Sequence, residues 1–246
     1  SAIGGGYDND VAANSRFVTI GGGQANSIGE FAGFAMIGGG LLNTIQKNAA
    51  FSTIGGGGGN RIMTNSALST IGGGDSNTIQ DNASHSTIGG GLVNRVMTNA
   101  LLSAIGGGEQ NSIGEFARNA TISGGGLNTI QENAAYSTIG GGEQNSIWEL
   151  SDHATVGGGR SNVIRETSPF STIGGGEDNS IESNSWWAAI GGGLQNSVGA
   201  YYAVIGGGAD NKIQPIADYS MIGAGRLNQI GTNAAFAFIG GGQQNS

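Results

Sequence analysis

Acidic side chains are the first candidates for chemistry in this sequence. Four glutamates recur at steps of 17 residues, which would place them in one row if the chain folds into stacked coils: Glu115, Glu132, Glu149 and Glu166. Like charges stacked about 4.8 Å apart are unfavourable unless they splay or share a cation. The row is therefore a weak candidate site for a cation such as Ca²⁺, and a solvated row at a corner of the coil is the simpler interpretation.

The remaining titratable residues do not form a catalytic constellation. His85 and His153 lie four coils apart, roughly 19 Å at the strand spacing, so they cannot share a metal ion, and we interpret both as aromatic substitutes. A second acidic row recurs at every second coil, a pattern of duplication that no unique active site requires: Asp75, Glu109, Glu143 and Glu177. There is no cysteine. We predict no enzyme activity and no cofactor.

The element that positions these rows is a repeat of 17 residues. An aliphatic residue precedes a glycine-rich corner fifteen times, from Ile3 to Ile239, and only the step from Ile190 to Ile205 is shorter, at 15 residues. A fixed period of this length indicates stacked structural repeats, and glycine triplets exclude helices. We predict an all-β protein, a parallel β-solenoid of about fifteen coils over residues 1–246, forming one repeat array.

Two short strands per coil follow from the pattern. With positions numbered from the aliphatic residue as 0, one strand ends in Ser-Thr-Ile and the other reads Asn-x-Ile, with Ile or Val at position 8. Alternation of side chains places positions 0, 6, 8 and 15 inside. Position 6 is Asn in every coil, which predicts a buried amide ladder between coils. Eight of its members are Asn26, Asn43, Asn60, Asn77, Asn94, Asn111, Asn128 and Asn145.

The glycine triplets allow two interpretations. Glycine adopts φ > 0 and so turns the corner between strands, and it also lets a neighbouring backbone come close because it has no Cβ. Turning explains one or two glycines at each corner, whereas three favour a close approach as well. We expect the corners to turn the chain and to pack against another chain.

Position 14 collects aromatic residues. Nine of its fourteen members are aromatic, and alternation would place them outside, on the face of position 16: Phe17, Phe34, Phe51, Tyr136, Phe170, Trp187, Tyr202, Tyr219 and Phe236. A long apolar ladder on a surface usually marks an interface. Lateral association with identical chains is our first interpretation. A covering loop or strand curvature, and stacking of carbohydrate on the rings, remain open.

Bulk composition excludes several classes of partner. The net charge of −8 argues against nucleic acid and anionic membranes, which need basic patches. No apolar run is long enough to span a membrane, and no signal peptide is visible. The sequence begins and stops in mid-repeat without an atypical terminal repeat, so we expect an uncapped segment of a longer protein, or a unit that polymerises.

The Ser-Thr-Ile-Gly-Gly-Gly-x-x-Asn-x-Ile unit, as at Ser52–Ile62, resembles the head repeats of trimeric autotransporter adhesins (YadA-like heads). The coil from Ile190 to Ile205 is nearest to them in length. The resemblance implies a left-handed parallel β-roll, three chains per fibre and a bacterial or phage surface. The longer coil, the full glycine triplet and the absence of a stalk or anchor depart from that pattern.

These observations predict a structural extracellular fibre or filament protein that associates with identical chains through its glycine corners and aromatic column. The alternative is an adhesin or receptor-binding fibre head that recognises glycans or a host surface. A minor alternative is an ice-binding solenoid, because Thr recurs at position 16, as in Thr53, Thr70 and Thr87.

Overall fold

Only β-strands and turns make up the fold, as described for residues 1–246 by a computed structural model. The strands are parallel and form a β-solenoid of about 14 turns with a 17-residue spacing, which confirms the predicted fold class. No helix has the length and hydropathy of a membrane span. Contacts divide the chain into two compact units, Ser1–Gly126 and Leu127–Ser246.

The first unit contains two parallel sheets of two-residue strands. One sheet holds position 16 and position 0 of each coil, in strands β1 Ala2–Ile3, β3 Thr19–Ile20, β5 Met36–Ile37, β7 Thr53–Ile54, β9 Thr70–Ile71, β11 Thr87–Ile88, β13 Ala104–Ile105 and β15 Thr121–Ile122. The other holds positions 7 and 8, in β2 Asp10–Val11, β4 Ser27–Ile28, β6 Thr44–Ile45, β8 Arg61–Ile62, β10 Thr78–Ile79, β12 Arg95–Val96 and β14 Ser112–Ile113.

The second unit repeats this arrangement. Its strands at positions 7 and 8 are β16 Thr129–Ile130, β18 Ser146–Ile147, β20 Val163–Ile164, β22 Ser180–Ile181, β24 Ser197–Val198, β26 Lys212–Ile213 and β28 Gln229–Ile230. Those at positions 16 and 0 are β17 Thr138–Ile139, β19 Thr155–Val156, β21 Thr172–Ile173, β23 Ala189–Ile190, β25 Val204–Ile205, β27 Met221–Ile222 and β29 Phe238–Ile239.

Residues at the same position of the coil pair with each other in successive coils. Between β7 and β9, Thr53 pairs with Thr70 and Ile54 with Ile71. A third line of parallel bridges runs through position 4, as between Asp75 and Leu92. Because pairing repeats at three places in each coil, every position of the coil becomes a column along the stack.

The core is thin, as the pattern predicts. Apart from the end coils, the aliphatic residues at positions 0 and 8, such as Ile54 and Ile62, are buried, and small residues at positions 12 and 15 fill the space between them. Full burial of one isoleucine stabilises the fold by about 1.5–3 kcal/mol. Serines at position 15 also link coils: the Ser52 hydroxyl donates to the Ser66 carbonyl at 3.0 Å and accepts the Ser69 N–H at 3.2 Å.

The predicted asparagine ladder is present and uses the whole amide, as Asn77 shows. Its Nδ2 donates to the carbonyls of Gly73 (3.0 Å) and Gly91 (2.9 Å) and to Asn60 Oδ1 (3.1 Å), while its Oδ1 accepts the Asn94 N–H at 3.0 Å. The second unit has the same bonds, as between Asn128 Oδ1 and the Asn145 N–H at 3.0 Å. Each buried Asn therefore ties the glycine corner of its own coil to the next coil.

The close approach that the glycines permit is made inside one chain. A Cβ on Gly55 or Gly57 would come within 3.0 Å of a carbonyl oxygen of the next coil, that of Gly72 or Gly74. Gly57 also has φ of 87°, which favours glycine. A Cβ on Gly56, the middle residue, would meet nothing within 4 Å, and Ala224 occupies that position in a later coil. Only the middle glycines of the triplets therefore leave room for the approach of another chain.

Alanine substitutions within one triplet test this explanation. Gly55→Ala should lower the free energy of unfolding by about 1–3 kcal/mol because its Cβ overlaps the next coil. Gly56→Ala is the matched control and should change it by less than about 0.5 kcal/mol. Urea unfolding followed by circular dichroism gives both values. Equal losses in the two variants would contradict an intramolecular origin of the glycine requirement.

The amide ladder gives a second prediction. Asn77→Asp should destabilise the fold by at least about 3 kcal/mol, since a buried carboxylate would face the Gly73 and Gly91 carbonyls with no proton to donate. Asn245→Asp, at an exposed site of the same ladder, should lose less than about 1 kcal/mol. Thermal unfolding at neutral pH compares them, and similar losses would refute the role of burial.

Candidate functional site: the aromatic column

Position 14 lies in a turn and not in a strand. All fourteen of its residues have φ between 53° and 62°, in the left-handed region, and the strand begins only at position 16. The prediction that this column shares a strand face with Thr at position 16 is therefore wrong, although its outward direction is right. In this turn the side chain at position 14 points outward, whereas the nearby residues at positions 12 and 15 are buried.

In the first unit the column begins with three stacked phenylalanines. The ring centroids of Phe17 and Phe34 lie 5.0 Å apart and those of Phe34 and Phe51 lie 4.8 Å apart, with interplanar angles of 18° and 6°. Leu68, His85, Leu102 and Asn119 continue the column without ring stacking. His85 is exposed between two leucines of the column.

In the second unit the stack has seven rings without a gap. Adjacent centroids are 4.8–5.2 Å apart and the planes lie within 5° of parallel, through Tyr136, His153, Phe170, Trp187, Tyr202, Tyr219 and Phe236. His153 takes the place of an aromatic residue, as predicted. The aromatic residues of position 14 are 40–76% exposed in the two units, so no loop of the described chain covers them.

The backbone at position 14 does not favour the residues found there. Left-handed φ is tolerated best by Gly and Asn, and it costs other residues about 1–2 kcal/mol. Position 11 has the same conformation and is Asn in eight coils, such as Asn48 and Asn65. Position 14 is Asn only at Asn119. Aromatic residues therefore occupy position 14 for what their side chains contact, against the local preference of the backbone.

Stacking decides which part of each ring is accessible. Ring pairs in this geometry contribute about 0.5–1.5 kcal/mol beyond burial. A ring inside the stack, such as Phe34 or Tyr202, has a neighbouring ring beside each face, so its faces are partly covered and its edge is the part most open to solvent. Carbohydrate recognition by stacking needs an open face. The column is consequently a ridge of apolar edges that repeats at the coil spacing.

Two aromatic residues outside the column form a cluster that the sequence analysis missed. Trp186 and Tyr201 sit at position 13, next to Trp187 and Tyr202, and their rings contact each other edge to face with centroids 6.4 Å apart. The signal available in the sequence was two aromatic doublets, Trp186-Trp187 just before the short coil and Tyr201-Tyr202 within it.

The glutamate row brings no cluster of carboxylates together. Glu115 belongs to the first unit and Glu132, Glu149 and Glu166 to the second, and no group of three or more His, Cys, Asp or Glu side chains converges in the structure. The Ser183 hydroxyl donates to Glu166 Oε1 at 2.6 Å and lowers the pKa of that carboxyl. The positive charge of Arg165 lowers this pKa by a smaller amount. Glu115, Glu132 and Glu149 are exposed, in keeping with a solvated row.

Comparisons with known proteins do not assign the chain to a group. No protein family matches the sequence, and no curated protein matches it either. The functional interpretation therefore depends on the geometry of the aromatic column and its surroundings.

Extending the stack tests whether ring contacts stabilise the column. Leu68 follows Phe51 at position 14, so Leu68→Phe should add a fourth ring and raise the free energy of unfolding by about 0.5–1.5 kcal/mol. Leu150→Phe is the control, since Leu150 has the same φ of 58° and similar exposure but lies at position 11, outside the stack. Urea midpoints measure the difference, and an equal gain in both variants would refute a stacking contribution.

Proposed function

We propose that this protein is a structural subunit of an extracellular fibre or filament, and that it associates laterally with identical chains through the aromatic column. The observation that carries the proposal is a solvent-facing ladder of aromatic residues held in a backbone conformation that disfavours them. A monomer gains nothing from exposed rings beyond their stacking. An interface would bury the ring edges and add the stabilisation that apolar burial provides.

Spacing argues for a second copy of this chain as the partner. The ring edges repeat every 4.8–5.2 Å in the second unit, which is the rise of one β-coil. Another solenoid with the same rise can match such a ridge coil by coil, whereas an unrelated surface can match it at only one or two places. The middle glycines of the triplets, which have no Cβ and face open space, offer further smooth surface for such contact.

The remaining parts of the proposal are the assembly and its location. The resemblance to YadA-like heads supports three chains per fibre and a bacterial or phage surface, and a longer filament is the alternative assembly. A coil surface with only 11% charged residues suits a fibre outside the cell. Catalysis has no part in this proposal.

A second candidate function is an adhesin or a receptor-binding fibre head. The observation that favours it is the pair Trp186 and Tyr201, whose rings lie outside the stack and are 39% and 41% exposed. The column itself supports this function less, because the interior rings present edges to solvent. A glycan ligand would therefore be expected at position 13 and not along position 14.

Paired asparagine substitutions separate association from folding. Phe34→Asn with Phe51→Asn removes two rings while supplying a residue that suits left-handed φ. We expect the coil to remain folded by circular dichroism and the assembly to disperse, as measured by light scattering and electron microscopy. The matched control is Phe31→Asn with Phe116→Asn, exposed rings with the same φ at position 11.

Two results would count against the proposal. One is a wild-type chain that stays monomeric over the micromolar to millimolar range, and the other is equal dispersal by the column and control variants. Glycan-array binding that is lost in Trp186→Ala and retained in the column variant would favour the adhesin instead.

A further inference from the structure

The short coil between Ile190 and Ile205 changes the surface of the second unit. It lacks positions 10 and 11, so the corner that other coils form there is missing. A cavity of about 310 Å³ opens at this place, between Asn184 of the preceding coil and Pro215 and Ile216 of the following coil. A second cavity of about 250 Å³ adjoins it, and Tyr201 and Asp218 line both.

The second cavity has aromatic walls that stand at an angle to each other. The Trp186 ring lies 79° from the Tyr201 plane and 54° from the Trp187 plane, with centroids 6.4 and 5.8 Å apart. Because position 13 has no aromatic residue in other coils, these two rings are not sandwiched as the column rings are. Their planes meet at an angle and form an open recess in which a compact group can contact both rings.

The charge in this corner is a lone carboxylate. Asp218 Oδ1 accepts the Tyr201 N–H at 3.0 Å, and Asp218 forms no ion pair. Neither cavity is lined by Lys, Arg or His. The other carboxylate, Glu182, already forms an ion pair with Arg165 at 3.0 Å. It also accepts hydrogen bonds from the hydroxyls of Ser180 and Ser197. Asp218 therefore keeps a negative charge and an acceptor oxygen for a ligand.

We propose that this corner, formed by Trp186, Tyr201 and Asp218, binds an alkylammonium cation. Aromatic faces attract ammonium groups through the ring quadrupole, and a neighbouring carboxylate adds a charge of opposite sign. The second unit carries ten Asp and Glu against four Lys and Arg, so its field also favours a cation. The Tyr201, Tyr202 and Tyr219 hydroxyls also line this recess, so saccharides are included among the probes below.

Titrations of the full chain with small probes test the site. Choline and butylammonium represent quaternary and primary ammonium groups, dimethylbutanol is the uncharged isostere of choline, and glucose and galactose represent saccharides. Tryptophan fluorescence and amide NMR shifts report binding. We expect both cations to bind, with shifts centred on Trp186 and Tyr201, and the neutral probes not to bind. The stronger cation identifies which kind of ammonium source the site prefers.

Two aspartates make a matched pair of variants. Asp218→Asn keeps the acceptor for the Tyr201 N–H but removes the charge, and it should weaken cation binding about fivefold, the effect of one exposed ion pair. Asp152 accepts the Ala135 N–H in the same way, at 2.8 Å, but the position-13 residues of the adjacent coils are Ala135 and Pro169, which carry no rings. Asp152→Asn should leave binding unchanged, and Trp186→Ala should weaken it by a similar fivefold or more.

Three results would overturn the site: saccharide binding in place of cation binding, no saturable binding of either cation, or equal loss in Asp152→Asn and Asp218→Asn. The Phe34→Asn/Phe51→Asn variant separates this proposal from self-association, since its substitutions lie in the first unit. Cation binding should survive in that variant whether or not the wild-type chain assembles.

Discussion

The fold depends on how closely one coil can lie on the next. Backbone pairing at three places in each coil sets that distance, and at the corner the carbonyl of the following coil occupies the space of a Cβ on the first or third glycine. The asparagine at position 6 is the partner of this constraint, because its amide donates to the middle glycine's carbonyl in its own coil and to the third glycine's carbonyl in the next coil. The latter is the carbonyl that a Cβ on the third glycine would meet. Glycine and asparagine are thus required together, and neither is explained alone.

Close stacking also determines what the surface can present. Because each position becomes a column, any residue type that recurs at 17-residue steps becomes a continuous strip along the coils. A recurring aromatic residue gives a strip whose rings partly cover one another's faces. Such a surface is regular, apolar and poor in features that distinguish one coil from another. It suits contact with another regular surface better than recognition of a small ligand.

The period and the alternation of side chains were enough to predict the columns, the thin core and the amide ladder from the sequence. The direction of Phe51 was also predictable, but not its conformation, because alternation holds only within strands and these strands are two residues long. The backbone has left-handed φ at positions 5, 11 and 14, and in the sequence only the repeated Asn at position 11 indicates it. The first and third glycines of each triplet approach the next coil of the same chain, and a period alone does not tell such a coil from another chain.

A departure from the period can create a surface that occurs only once, which a regular repeat cannot. In every full coil the corner at positions 10 and 11 is filled, and a ligand would meet the same surface at each step. Deleting two residues removes one corner, and Trp186, Tyr201 and Asp218 then line a recess that occurs once. The core and the asparagine ladder continue past it unchanged, with the Asn211 N–H donating to Asn196 Oδ1 at 3.1 Å across the short coil. A solenoid can therefore acquire a unique site at a turn without weakening the stacking that holds it together, and this makes the short coil a more informative place to look for recognition than the regular column.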